Sequence, residues 1–207
     1  MKRIMWMALL TMALPLAAFA DNSVDFTNHG GVLTGSSAGL TLTGSELIAV
    51  SGFGGLGLVE GGLGTLSFST GSMVSGGNLQ TGANFLGGVG TSSFDIYSNG
   101  SQGLPKGNLF QGSFTGPVTW TEVTLANGTH NYTLTGTISG TWYNGQTVGG
   151  AVVQLTINTG KGLFDGKTRI SSGDTNVLTS VPEPGTLGLL GTGLVGLAGV
   201  LHRKLRA

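Results

Sequence analysis

Two glycine-bounded stretches carry the spacing of reactive loops. Gly35-Ser36-Ser37-Ala38-Gly39 fits G-x-S-x-G. In that arrangement the central serine sits on a tight turn between a strand and a helix and attacks an acyl carbon. No helical period follows Gly39, so Ser37 lacks the element that would expose it as a nucleophile. Gly52-Phe53-Gly54-Gly55-Leu56-Gly57 fits G-x-G-x-x-G. That spacing cradles a pyrophosphate only where it closes a strand and opens a helix of a βαβ unit, and no such unit follows. With 40 glycines in 207 residues, accidental matches to both patterns are expected.

Between the two ends of the chain the histidines are His29 and His130. A zinc site would need further ligands at suitable spacing. Glu122 is the nearest acid to His130 in sequence and shares an alternation face with Trp120 and Thr124. His130, beside Asn131, reads as a loop residue, and no serine or acid is expected to meet either histidine in a pocket. Asp165, Asp174 and Asn176 could give oxygen ligands to calcium, but their spacing is not that of a calcium loop. Cysteine is absent, which excludes thiol chemistry and disulfides. No catalytic residue, metal site or cofactor is assigned, and the chain is read as a non-enzyme.

Thr133, Thr135, Thr137, Ser139 and Thr141 alternate along one stretch and would line one face of a strand. Such a hydroxyl array could meet a carbohydrate or an ice lattice. Threonine equally suits the wet face of a half-buried strand. Asn99-Gly100-Ser101, Asn127-Gly128-Thr129 and Asn131-Tyr132-Thr133 fit the N-glycosylation pattern.

These residues lie in a stretch of unusual composition. Charged residues are 9% of the chain, well below the roughly 25% of ordinary globular proteins. Low charge combined with ample hydrophobicity argues against disorder and for a β-rich domain with many glycine turns. Residues 21–180 form this domain. Strands are expected over Thr65–Thr70, Ser93–Tyr97, Leu109–Thr115, Thr119–Leu125, Asn131–Tyr143 and Thr147–Asn158. Asn127-Gly128, Asn144-Gly145 and Asp165-Gly166 read as hairpin turns, the second of type I′. Glycine dominates Ser51–Gly64, which reads as a mobile surface flap. The fold class is all-β: an antiparallel meander closing into a sandwich, with a glycine-rich β-helix as the alternative.

The two ends are of another kind. Lys2 and Arg3 precede an apolar run from Ile4 to Leu16, and Ala18-Phe19-Ala20 has the small-x-small form of a signal-peptide cleavage site. Residues 1–20 therefore read as a signal helix delivered to the secretion translocon. At the other end, residues 181–207 contain Val181-Pro182-Glu183-Pro184, an uncharged run from Gly185 to Leu201, and a tip carrying Arg203, Lys204 and Arg206. The uncharged run would span roughly 25 Å as a helix, short for a bilayer but within range when basic residues snorkel. Gly188, Thr192 and Gly196 fall four apart on one face of that transmembrane helix and could accept a neighbouring helix closely. Between the ends there are four basic residues, Lys106, Lys161, Lys167 and Arg169, against eight acids. That mildly acidic balance argues against nucleic acid or anionic lipid as a partner.

Val-Pro-Glu-Pro, a short Gly/Leu-rich hydrophobic run and a basic tip, in this order, resemble the PEP-CTERM sorting signal. The resemblance covers about an eighth of the chain. It implies that an exosortase, an integral membrane protease or transpeptidase, recognises Pro182, Glu183 and Pro184 and removes the tail. It further implies that Gly185–Leu201 is the membrane-spanning part and that Arg203, Lys204 and Arg206 form the basic anchor. The expected course is export, transient anchoring in the inner membrane, and release to the envelope or extracellular polysaccharide. The expected role there is that of a structural or adhesive protein. A glycan- or ice-binding module using Thr133, Thr135, Thr137 and Thr141 is the alternative.

Overall fold

The computed structural model describes residues 22–179. The expected signal helix (1–20), transmembrane helix and sorting residues (181–207) lie outside the described residues. Ten antiparallel strands build the described part. They are β1 (Asn22–Ser36), β2 (Gly39–Ser51), β3 (Val59–Ser69), β4 (Gly82–Phe85), β5 (Ser93–Ser98), β6 (Gly107–Phe114), β7 (Val118–Thr124), β8 (His130–Trp142), β9 (Thr147–Asn158) and β10 (Lys167–Thr179).

The strands close on themselves. The order β8-β6-β5-β3-β2-β1-β10-β9 returns to β8 through a β8–β9 ladder running from Asn131↔Asn158 to Thr141↔Thr147. The all-β class and the antiparallel meander stand, whereas the expected sandwich is an eight-stranded barrel and the β-helix is excluded. The physical reason lies in register shifts inside β1–β3, two of them at glycines that read as loop in the sequence, Gly44 and Gly61. β1 shifts register at Thr27/Asn28, β2 between Leu42 and Ser45, and β3 between Leu47 and Ala49 of its partner. Each bulge bends its strand and increases the twist, which curls an open sheet toward closure. Gly31 shows why glycine is needed: its φ is +75°, and a Cβ there would stand 2.6 Å from the Ser45 backbone nitrogen.

β8 is long enough to hold two partners on one edge. Phe110–Phe114 of β6 pairs with Ile138–Trp142, and Thr119–Thr124 of β7 pairs with His130–Thr135. β7 therefore extends the wall past the ring and carries β4 on its outer edge.

Inward positions of the ring are apolar and filled. Along β8 they read Tyr132, Leu134, Gly136, Ile138, Gly140 and Trp142, alternating bulk with space. The Phe114 ring occupies the room that a Cβ on Gly136 would take, and Phe68, Phe94, Phe110 and Phe114 pack edge-on or stacked at 5.7–6.2 Å. A lumen filled by side chains is a core rather than a channel. Outward positions are dominated by threonine, serine and a few charges, opposite to the apolar exterior of barrels that face lipid. Among the described residues no helix is long and apolar enough to cross a membrane.

Both ends of the barrel are plugged. At one, Trp120 stacks on Tyr132 at 5.0 Å and meets Phe164 edge-on at 5.3 Å. The Trp120 indole N–H donates to Leu79 O, and the Tyr132 hydroxyl donates to Gln80 O while accepting from Phe164 N. At the other, Phe53 is 3% exposed and packs 5.5 Å from Trp142. The expected flap over Ser51–Gly64 is thus corrected: Phe53–Gly55 is a short 3-10 turn anchored by Phe53, and Val59–Gly64 belongs to β3.

The hairpin turns fall where Asn-Gly pairs predict them, with a different geometry. Trp142 N donates to Gln146 O, and Gly145 N donates to Trp142 O. Gly145 has φ +84°, and the sole non-glycine with positive φ among the described residues is Gln102. Type I′ would need positive φ at Asn144 as well. The turn is instead a three-residue loop with a left-handed glycine at its end. Leu125–Thr129 repeats the same bonding through Gly128.

Candidate functional site

The alternation places Thr133, Thr135, Thr137, Ser139 and Thr141 on the outer face of β8, as expected. The strand register brings them into a wider array that a single strand does not reveal. Thr121 of β7, Thr133 of β8, Thr156 of β9 and Ser172 of β10 lie side by side. The next row contains Asn84 of β4, Thr119, Thr135, Gln154 and Asp174. Neighbouring strands stand about 4.8 Å apart and successive rows about 7 Å apart. At the β4–β7 end the array opens into a groove of about 370 Å³, lined among others by Ser75, Thr81, Asn84, Thr119 and Thr121. Thr141 pairs with Gln111 and Thr147 at the opposite end of β8.

Glu122 and His130 meet, which corrects two expectations: His130 opens β8 rather than lying in a loop, and an acid does converge on it. His130 Nδ1 is 2.8 Å from Glu122 Oε1, with both side chains largely covered. The Thr124 hydroxyl donates to the same carboxylate oxygen at 2.7 Å. Because a carboxylate only accepts, Nδ1 carries the proton in this pair. The shared face of Trp120, Glu122 and Thr124 is what the alternation predicts. The hydrogen bonds from His130, and next from Thr124, hold the Glu122 carboxyl below its usual range. A carboxyl with a lowered folded-state pKa stabilises the fold above its ordinary pKa, and that contribution is lost as pH falls through the folded value. Glu122→Gln is therefore expected to lower Tm at pH 7, and the gap should close on acidification below the ordinary carboxylate range. Thermal unfolding of both proteins between pH 7 and pH 3 checks this.

His29 and Glu46 also approach, at 3.4 Å, but both are half exposed, where such a pair adds little. Ser37 lies in the turn between β1 and β2, its carbonyl accepting from Met73 N. A strand rather than a helix follows it, so the nucleophile geometry is not built. The Gly52–Gly57 stretch joins β2 to β3 and opens no βαβ unit. Asp165 lies between β9 and β10, away from Asp174 and Asn176 on β10, and the described residues hold no cluster of three or more metal-ligating His, Cys, Asp or Glu. Asp25 is pushed up by burial and by the charge of Asp174. Of the glycosylation-type asparagines, Asn99 Nδ2 is tied to Gly62 O and Asn131 Oδ1 to Asn158, whereas the Asn127 amide oxygen closes its own exposed turn.

Pro182, Glu183, Pro184, Gly188, Thr192, Gly196, Arg203, Lys204 and Arg206 lie outside the described residues. The last described strand ends at Thr179, directly before the segment that contains them. No curated protein and no solved structure matches the chain. Residues 180–204 do match a family model: the chain carries a PEP-CTERM protein-sorting motif, which implies export and membrane-anchored processing by an exosortase.

Proposed function

We propose that this chain is an exported, non-catalytic structural or adhesive protein of the cell envelope or extracellular matrix. A signal peptide starts its passage through the translocon, the C-terminal segment holds it in the inner membrane, and an exosortase removes that segment. The observation that carries the reading is the sorting motif at residues 180–204, which begins where the last barrel strand ends. A barrel with a filled lumen and plugged ends supports it, because such a body offers outer surface rather than a chamber for chemistry.

Replacing Pro182, Glu183 and Pro184 together by alanine is the test. In cells that contain the exosortase, the unaltered protein should lose both its first residues and its C-terminal tail, and should leave the inner membrane. The triple variant should keep the tail and stay in the membrane fraction. Mass spectrometry of the two termini, combined with fractionation, reads both outcomes. Identical mass and location for the two proteins would refute the reading.

A further inference from the structure

The outer surface of the barrel is divided by charge. Outward carboxylates Asp25, Glu46, Glu60, Asp95 and Asp174 sit on β1, β2, β3, β5 and β10. In the ring order, β2 stands four places from β8 in either direction, so it forms the opposite wall. The outward positions of β7, β8 and β9 carry no charge: they are threonine, serine, asparagine, glutamine, valine and glycine. Chance use of threonine on wet strands accounts for hydroxyls anywhere on the barrel. It does not account for the absence of carboxylates from the outward positions of β7, β8 and β9, where the one acid, Glu122, borders the groove but takes the inward alternation of Trp120 and is tied to His130 and Thr124.

The hydroxyls of this wall are also spare. Thr119, Thr133, Thr135 and Thr156 are half-buried yet make no side-chain hydrogen bond to other described residues, and Thr121 makes a single long one, 3.4 Å to Thr133 O. Two rows of uncharged polar groups cross β7, β8 and β9, reach Ser172 and Asp174 of β10 at one end, and end in the groove beside Asn84 and Thr119 at the other. A hydroxyl both donates and accepts, as do the amides of Asn84 and Gln154. A ligand that matches them must offer many donors and acceptors at regular intervals without net charge.

Resting on the exported-surface reading above, we propose that the β4–β7–β8–β9 wall binds an uncharged polysaccharide, one segment of which lies in the groove. A polysaccharide chain can follow the curvature and twist of a barrel wall. A flat crystal plane such as ice cannot contact the rows and the groove together. The wall lacks an exposed aromatic platform, so recognition falls to hydrogen bonds at the edges of the sugar rings, and affinity must come from many weak contacts along the polymer.

Affinity electrophoresis of the full chain in mild detergent tests this, with gels containing dextran, hydroxyethyl cellulose or galactomannan as neutral probes and alginate as the anionic one. Retardation is expected in at least one neutral gel and not in alginate alone. Thr121→Val, Thr133→Val and Thr156→Val combined keep shape and strand preference while removing three hydroxyls. The triple variant should bind at least about tenfold more weakly, a difference of about 1.4 kcal/mol. Thr43→Lys on the opposite wall should bind as the unaltered protein does. Far-UV circular dichroism and Tm establish that each variant is folded. Should the triple variant fail to fold, Asn84→Ala and Gln154→Ala, both at exposed positions, replace it with the same expected loss. Failure to bind any neutral probe, unchanged binding by the folded variants, or thermal hysteresis in ice without polymer binding would each overturn the proposal. None of these results bears on tail removal or location, so the exported-surface reading stands or falls separately.

Discussion

Gly140→Val is expected to lower Tm by about 6–12 °C, whereas Gly149→Val should leave it unchanged or slightly raised. The two glycines are nine residues apart in neighbouring strands, and their surroundings differ completely. A Cβ on Gly140 would collide with Gln111 O and stand 2.6 Å from the Gly112 Cα. Gly112 is its cross-strand partner and would meet Ser139 O and the Phe110 ring in the same way. The obstructing atoms are mostly backbone, so relief requires parting β6 from β8 and opening the ring. Overpacking of this kind costs about 3 kcal/mol, and each kcal/mol shifts Tm by roughly 2–4 °C in a domain of this size. Gly149 has nothing within 4 Å of its Cβ position and an ordinary φ. Valine there limits the unfolded chain and suits a strand. Thermal unfolding of the two variants side by side is the measurement, and equal shifts would show that the β6–β8 contact is not a close one.

Glycine is also where sequence and structure part. The strands from Leu109 to Asn158 were legible because apolar residues alternate there without interruption, and the register of β8 and β9 follows from that alternation. The first half was not. Gly30, Gly31, Gly44, Gly61 and Gly64 break the alternation, and a break looks the same whether the chain leaves the sheet or bulges within it. In β1–β3 all of them stay within the strands, and Gly44 and Gly61 lie at register shifts that bend the wall toward closure. Asp165-Gly166 reads as a hairpin turn, yet Phe164 beside it sits in the longer loop between β9 and β10 and packs on Tyr132. Its burial comes from distant residues that no local pattern names. Asn28 and Ser45 are polar yet face inward and bond to each other at 2.7 Å: Asn28 continues the inward parity of Val24 and Phe26, and the register shift between Leu42 and Ser45 turns Ser45 inward.

The candidate site divides in the same way. Threonine periodicity on β8 was visible because one strand suffices to see it. The rows across β7, β9 and β10 depend on register, and register depends on closure. The Glu122–His130 contact was half visible: alternation put Glu122 beside Thr124, but nothing local placed His130 on the strand opposite. The sorting motif was fully legible, since a linear recognition element needs only its own order of residues.

Trp120→Ala should be the most damaging truncation in the extension beyond the ring, with a loss of about 3–5 kcal/mol and a fall in Tm of roughly 6–20 °C. Trp120 is 1% exposed and lies between Tyr132 and Phe164. Its removal empties a space bounded by two rings and leaves Leu79 O without its indole donor. Tyr132→Phe keeps the rings and removes only the hydroxyl that links Gln80 O to the buried Phe164 N, for a smaller cost of about 1–3 kcal/mol. The pair separates packing from hydrogen bonding at one plug. It also decides whether the β4–β7 extension unfolds with the ring or before it. Tyr132 belongs to β8, a strand of the ring, so Trp120 and the ring share a core, and a single cooperative transition is expected in both variants. Hydrogen exchange in Trp120→Ala that releases β4 and β7 while β1–β3 remain protected would instead make the extension an independent unit, and the hydroxyl wall would then span two bodies rather than one.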